Sequence, residues 1–358
     1  MADAYTVSHL GQANSDGEKD ALWLKVWAGE ILSAFEERNI MMPLHTVRTI
    51  TSGKSAQFPM TGNASAAYHA PGTELDGAAI KHAERVINID NLLVSHTFIS
   101  NWEEAINHYD VRGVYTRELG YALANHADKA IIRSLIAGSL NTTDSLGGTG
   151  GHTVTTGGAT GDNIIDGIMS ASQGLDERNI PTGDRFCVMT PAAFYAVLKS
   201  AGGGASGNDA LAAALLNKDY GPGGSMLQGG TQGLQVAGVN CFMSTHIPTA
   251  DEDGTGGAVD TVLGDASDGA RNSPFTATDQ NAGGGDTDIT TGSGYSGVDF
   301  SNYQGVVFHR SGVGTVKLLD LAVESDYQVE RQGTIMVAKY AMGHNFLRSA
   351  ACVGLKSS

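Results

Sequence analysis

Apolar residues Leu24, Trp27, Ile31 and Phe35 recur at steps of three and four behind a Ser15–Glu18 capping-box spacing. This pattern predicts an amphipathic helix over about 18–37, and Pro43 stops it from continuing. From 45 to 90 the period changes to two. Val47-Arg48-Thr49-Ile50-Thr51 and Ala56-Gln57-Phe58 flank the turn-like Ser52-Gly53-Lys54, and Arg85–Asp90 alternates polar with apolar. Residues 61–79 between them hold turn formers such as Gly62, Asn63, Pro71 and Gly72. Two strands with a long small-residue tip make a projecting finger. A two-stranded ribbon is marginal by itself, so the finger needs another surface to lie on.

A second capping-box spacing, Ser100–Glu103, precedes Trp102, Ile106, Tyr115, Leu119, Ile131 and Leu135. It predicts one long helix over about 101–138, broken near Asp110 and ended by Gly138 as its C′ glycine. Such a helix is ~50 Å long at ~1.5 Å per residue, a spine rather than an ordinary core helix. Its alanines 122, 124, 127 and 130 allow close approach of a neighbouring element. Asp162 is placed to cap a helix over 163–178, Phe186–Met189 reads as a short buried strand, and Thr190-Pro191 supplies a cap and an N1 proline. Leu234–Met243 reads as one further strand, and β-like runs close the chain at 304–324 and 334–347.

Composition limits what such a chain does. Its 358 residues are 41% hydrophobic and 17% charged, a globular balance, and the 48 glycines follow no Gly-X-Y period. No apolar run approaches the ~18–20 residues of a membrane helix, and the start has no signal-peptide pattern, so no membrane association is expected. Cys187, Cys241 and Cys352 are scattered among apolar residues and read as reduced core thiols of a cytosolic protein. The net charge of −16 disfavours a protein that grips nucleic acid, since that affinity needs clustered cations. Residues 251–300 hold ten acids, one base and eleven glycines. That composition buries little apolar surface and reads as a solvated insertion, expected on an outer face. Gly-rich stretches at 147–161 and 202–230 also separate compact blocks.

Motifs for chemistry fail in detail. Ser52-Gly53-Lys54-Ser55 resembles the end of a P-loop, but Arg48 stands where the first glycine belongs and no helix opens at the lysine. Asp251-Glu252-Asp253-Gly254 resembles the start of a calcium loop, yet Val262 occupies the position of the bidentate glutamate. The eleven histidines show no zinc spacing, and no Gly-x-Ser-x-Gly elbow occurs. Trp23, Trp27, Tyr195, Phe308 and Tyr340 fall at helix or strand spacing and read as core, since few bases interleave with them. No catalytic residue, cofactor or metal ligand is assigned.

Several strings resemble the major capsid proteins of short-tailed double-stranded DNA phages of the autographivirus group. They are HTVRTITSGKSAQFP (45–59), AAYHAPG (66–72), IKHAERVINIDNLL (80–93), EEAINHYDVRGVYT (103–116), FHRSGVGTVKLLDLAVE (308–324) and AKYAMGHNFLR (338–348). The resemblance implies an α+β fold of the Hong Kong 97 capsid type. Its parts would be an N-terminal arm with the amphipathic helix (1–44), an extended E-loop (45–90) and a P-domain with the spine helix (91–160). An A-domain (161–305) carrying the acidic insertion, a P-domain return (306–333) and a late A-domain strand with the C-terminus (334–358) would follow.

The function it implies is mechanical. Hexamers and pentamers assemble in the bacterial host cytoplasm, around a scaffolding protein and a portal protein, into an icosahedral shell of triangulation number seven. The virion shell encloses DNA without specific binding. Arg48, Lys54, Phe58, Tyr68, Lys81 and Arg85 are the expected inter-subunit contacts of the E-loop, the cations meeting carboxylates of another subunit. Some relatives cross-link through a lysine, but no asparagine partner is assignable to Lys54 or Lys81. The competing readings are an encapsulin-like shell that holds cargo and a cytosolic α/β enzyme.

Overall fold

The computed structural model describes residues 40–62, 79–89, 92–106, 112–144, 148–200, 234–248 and 300–357, with single positions between 63 and 78. The helix predicted over 18–37 and the acidic stretch 251–299 lie outside them, as do Trp23 and Trp27. In chain order the elements are β1 (Thr46–Thr49), β2 (Ser55–Thr61), β3 (His82–Asn88), β4 (Leu93–Ser100), α1 (Asn101–Ile106) and α2 (Arg112–Leu140). Then come β5 (His152–Thr155), α3 (Gly161–Glu177), β6 (Arg185–Met189), α4 (Pro191–Ser200), β7 (Leu234–Val236) and β8 (Val239–Met243). The last are β9 (Tyr303–His309), β10 (Val313–Gln328), β11 (Gly333–Phe346) and β12 (Cys352–Lys356). The strands form a four-stranded sheet of order β1-β10-β11-β4, a six-stranded sheet of order β5-β12-β9-β6-β8-β7, and a β2-β3 ribbon.

The chain divides into two compact units. The first comprises Met1–Asn39, of which nothing is described, with Asn91–Ala127 and Leu318–Met342. Here β4 runs antiparallel to β11, Leu93 opposite Tyr340 and Ser100 opposite Gly333. Ile99 and Met336 are buried against Tyr115 and Leu119 of α2. Ser100 Oγ accepts the Glu103 amide at 3.3 Å, the helix-starting bond that the spacing predicts.

The second unit comprises Ile40–Asp90, Asp128–Lys317 and Gly343–Ser358. The last turns of α2 bury Ile131, Ile132, Leu135 and Ile136 with Phe300, Phe308 and Phe346. Helices α3 and α4 cover the six-stranded sheet through Ile164, Ile168, Leu175, Phe194 and Val197. Thr190 Oγ1 accepts the Ala193 amide at 3.3 Å and Pro191 opens α4, as the cap signal predicts. The three cysteines are free and buried.

Several expectations need correction. The predicted spine is described as α1 and α2, and 107–111, where the break near Asp110 was expected, lies outside the described residues. Gly138 lies within α2 and does not end it. A Cβ there would sit 3.0 Å from Phe346 Cβ and 3.1 Å from Cys352 Sγ, so a larger residue would push those neighbours back. Asp162 does not cap α3; Thr160 holds that position and Asp162 sits in the first turn, where its charge suits the helix dipole. The run 234–243 is two strands, β7 and β8, antiparallel around Ala237 and Gly238. Both turn residues have positive φ (49° and 79°), the tight hairpin geometry that glycine tolerates.

The gap at 147–161 contains β5, whose edge is filled by β12. The long strand within 334–358, β11, belongs to the four-stranded sheet, and β12 is the segment that joins the six-stranded one. Strand period reports which face is buried but not which neighbour is chosen. Tyr195 is 51% exposed rather than core, whereas Phe308 and Tyr340 are buried.

One buried cation holds the end of α3 to the sheet. Arg185, 2% exposed, donates through Nη2 to the Asp176 carboxylate at 2.6 Å and to the Ile180 carbonyl. Its Nε donates to the Pro181 carbonyl at 2.8 Å and its Nη1 to Ser172 Oγ at 3.2 Å. Arg185→Met leaves those acceptors without their donor and is expected to cost about 2–4 kcal/mol. Urea unfolding of the variant checks this; an unchanged midpoint would contradict it.

Candidate inter-subunit interface

The β2-β3 ribbon is the element the sequence singles out. Its register runs from Ser55 opposite Asn88 to Thr61 opposite His82. The Ile89 amide donates to the Lys54 carbonyl at 2.7 Å at the root, and the Gly62 amide to the Lys81 carbonyl at 2.8 Å at the far end. Alternation gives the ribbon two unlike faces. Ala56, Phe58 and Met60 lie opposite Ile87, Arg85 and Ala83 on one face. Burial on that face is complete at the root, for Ala56, Arg85 and Ile87, and only partial at Phe58, Met60 and Ala83. The other face carries exposed Ser55, Gln57, Pro59, Thr61, His82, Glu84 and Asn88. Pro59 has no N–H to offer, which resists extension of that edge by another strand.

The six expected contact residues divide into two groups. Lys54 and Lys81 are exposed at opposite ends of the ribbon, and neither ammonium pairs with a carboxylate among the described residues. Tyr68 is fully exposed in the tip segment. Arg48 is exposed but partly engaged: Nη1 donates to the Gln57 carbonyl at 2.7 Å, and the guanidinium stands 5.7 Å from the centre of the Phe58 ring. Phe58 itself is half-buried.

Arg85 departs from the expectation. It is 7% exposed, its guanidinium stacks 3.9 Å from the centre of the Phe346 ring, and Nε donates to the Phe346 carbonyl at 3.2 Å. It anchors the ribbon within its own subunit. The signal was present, because Arg85 shares a strand face with Ile87. The predicted hairpin turn at 52–54 is also corrected. β1 does not pair with β2; it runs parallel to β10, Thr46 opposite Gly314 through Thr49 opposite Lys317. Gly53, with φ of 103°, turns the chain out of one sheet and into the other.

The sequence reading missed the groups at the ribbon's root. The Ile40 and Met41 amides donate to the Asp128 carboxylate at 2.8 and 3.3 Å, and His246 Nδ1 lies 3.7 Å from it. His45 Nδ1 donates to the Met41 carbonyl at 2.7 Å, and Thr315 Oγ1 lies between His45 Nε2 (2.6 Å) and His344 Nδ1 (2.8 Å). Only distance in the chain hides these partners, since His45 and Thr315 are 270 residues apart. Further out, Met60, Gly62 and Lys81 face Asp144, Glu177, Arg178 and Arg348 across a cleft of about 680 Å³.

Burial holds His45 down to about 4, against the opposing hydrogen bond to the Met41 carbonyl and with the positive potential of Lys317 and Arg310 acting in the same direction. Burial likewise lowers His152 to about 4 and lowers His309. Folded chains with depressed histidines bind protons less well than unfolded ones. Stability is therefore expected to fall as pH drops from about 6.5 toward 4. Asp128 opposes the trend, because burial raises its carboxyl and acid then favours the folded state. Urea midpoints measured at pH 7, 5.5 and 4.5 check the balance; a midpoint that rises in acid would refute the histidine contribution.

The comparisons bear on what this surface belongs to. The family model described as "Gp10A-like: Major capsid protein" matches residues 57–273 and 268–356. The major capsid protein of Enterobacteria phage T3 is 37% identical over 361 residues, covering 96% of this chain and 94% of that one. That of Escherichia phage T7 is 36% identical over 351 residues, covering 94% and 91%. The capsid structure of Cyanophage P-SCSP1u superposes with a TM-score of 0.69 at 33% identity, covering 99% of each chain. The mature capsid of bacteriophage PhiM1 shares the fold, with a TM-score of 0.64 at 18% identity and 98% and 97% coverage.

Proposed function

Because the chain belongs to the Gp10A-like family of major capsid proteins and is a structural icosahedral shell protein of the virion, not an enzyme, we propose that its β2-β3 ribbon is the arm by which one subunit grips the next. The observation that carries this is the gradient along the ribbon. Its apolar face is covered at the root by its own subunit and left half-covered outward, at Phe58, Met60 and Ala83. A second copy supplies the missing cover. Lys54 and Lys81 then meet carboxylates of that copy, which steers the encounter and sets register more than it adds affinity. Tyr68 and Phe58 supply apolar contact, and Arg48 braces the ribbon from its root.

In this reading the subunits close as hexamers and pentamers into a shell of triangulation number seven. Assembly takes place in the host cytoplasm around a scaffolding protein and a portal. The net charge of −16 suits a container for DNA, since a lumen that held DNA strongly would obstruct packaging and release.

Negative-stain microscopy of the chain co-expressed with a scaffolding protein tests the reading. Closed particles tens of nanometres wide are expected, and persistent monomers would overturn it. The paired substitution Lys54→Glu and Lys81→Glu is expected to slow assembly several-fold at low salt and much less in high salt, where screening already weakens the steering. Light scattering at two ionic strengths reads the difference.

A further inference from the structure

Within the second unit, the segment that leads into the ribbon is held by side chains from three distant stretches. His45 is 1% exposed, and its Nδ1–H donates to the Met41 carbonyl. A carbonyl only accepts, so the single proton of the neutral ring sits on Nδ1 and Nε2 is an acceptor. The Thr315 hydroxyl donates to that nitrogen. With its own proton committed, the hydroxyl oxygen accepts from His344 Nδ1. One carbonyl thus sets the direction of the whole chain of bonds.

Thr315 lies in the stretch of β10 that pairs with β1, and the Ile50 amide extends that ladder to the Lys317 carbonyl at 2.9 Å. The charged groups acting on His45 are Lys317 and Arg310, both cations, and the titratable neighbour reached through Thr315 is His344. A second proton on His45 makes Nε2 a donor, so the Thr315 hydroxyl must turn away from it and the original direction of the chain is lost, with a charge placed in a buried site already under positive potential. At the other end of the segment, the Asp128 carboxylate holds the Ile40 and Met41 amides; burial raises its carboxyl, while those two bonds and His246 favour the ionised form.

We propose that His45, Thr315 and His344 form a proton-operated joint at the root of the ribbon. Protonation of His45 breaks the directed chain of hydrogen bonds and loosens β1 from β10. The consequence for shells rests on the ribbon being the inter-subunit arm, but the opening itself is a property of the single chain. It is therefore measured on the soluble full-length protein, where it fails or succeeds independently of assembly.

Hydrogen exchange of the 44–50 region, corrected for intrinsic chemistry, is followed from pH 7.5 to 4.5. The shift of His45 from 6.5 to about 4 corresponds to an increase in opening on the order of fifty- to a hundredfold. His45→Gln keeps a polar side chain without a titration and is expected to lose the response. His152→Gln, at a half-buried histidine elsewhere, is expected to keep it. A flat wild-type profile overturns the proposal, and so does a full response in His45→Gln. If that variant does not fold, His45→Asn serves the same purpose, and the wild-type profile stands as a test by itself.

Discussion

Replacing residues 63–79 by a short glycine turn is expected to give a soluble, folded subunit that does not close into shells. The β2-β3 ladder survives the change, because its far end is tied by the Gly62 amide on the Lys81 carbonyl and its root by Ile89 on Lys54. The anchor of Arg85 on Phe346 is likewise untouched. What disappears is the tip segment that carries the fully exposed Tyr68. Thermal melting should stay within a few degrees of the parent, since surface changes away from the core are worth about half a kcal/mol or less. Particle yield in the presence of scaffold should collapse. Normal shells from the shortened chain would sink the ribbon assignment, and loss of the folded subunit would mean that the tip also supports its own domain.

Ala130→Pro should act in the opposite way, removing the subunit itself. Ala130 is buried in α2, one residue before the fully buried Ile131 and Ile132. Proline removes one helical hydrogen bond and presses its ring on the carbonyl four residues earlier, at a cost of about 3 kcal/mol or more. Domains hold about 5–15 kcal/mol in total, so this is a large share. It also displaces Ile131, Ile132, Leu135 and Ile136 from the core they share with Phe300, Phe308 and Phe346. Soluble yield and circular dichroism melting read the result; an unchanged melt would show that this stretch of α2 is not the packed helix described. Ala130→Ser, which keeps the N–H, should be close to neutral on the same scale.

Elements with a strong local signature were legible in advance. Thr190-Pro191 marked the start of α4, Ser100 the start of α1, and the β-like runs 56–58 and 85–90 the ribbon. Each rests on residues within one or two turns of one another. Of the expected contact residues, Lys54, Lys81 and Tyr68 are exposed, whereas Arg85 turned inward because charge alone does not say which face of a strand is covered. Gly138 shows the same limit: a glycine near a helix end reads as a stop, and only the approach of Phe346 and Cys352 shows that it is a packing gap.

By itself the sequence determined the family, and with it the shell, through strings spread along the chain. It also determined most helices and strands, because periodicity is written in neighbouring side chains. Only the tertiary structure decided the partners: β1 beside β10, β12 rather than β11 completing the six-stranded sheet, and His45 joined to Thr315 and His344. Loop-closure entropy changes slowly with separation, so the chain pairs segments hundreds of residues apart almost as readily as near ones. Which pair wins is set by packing and by satisfaction of buried polar groups, and these exist only once the chain has folded.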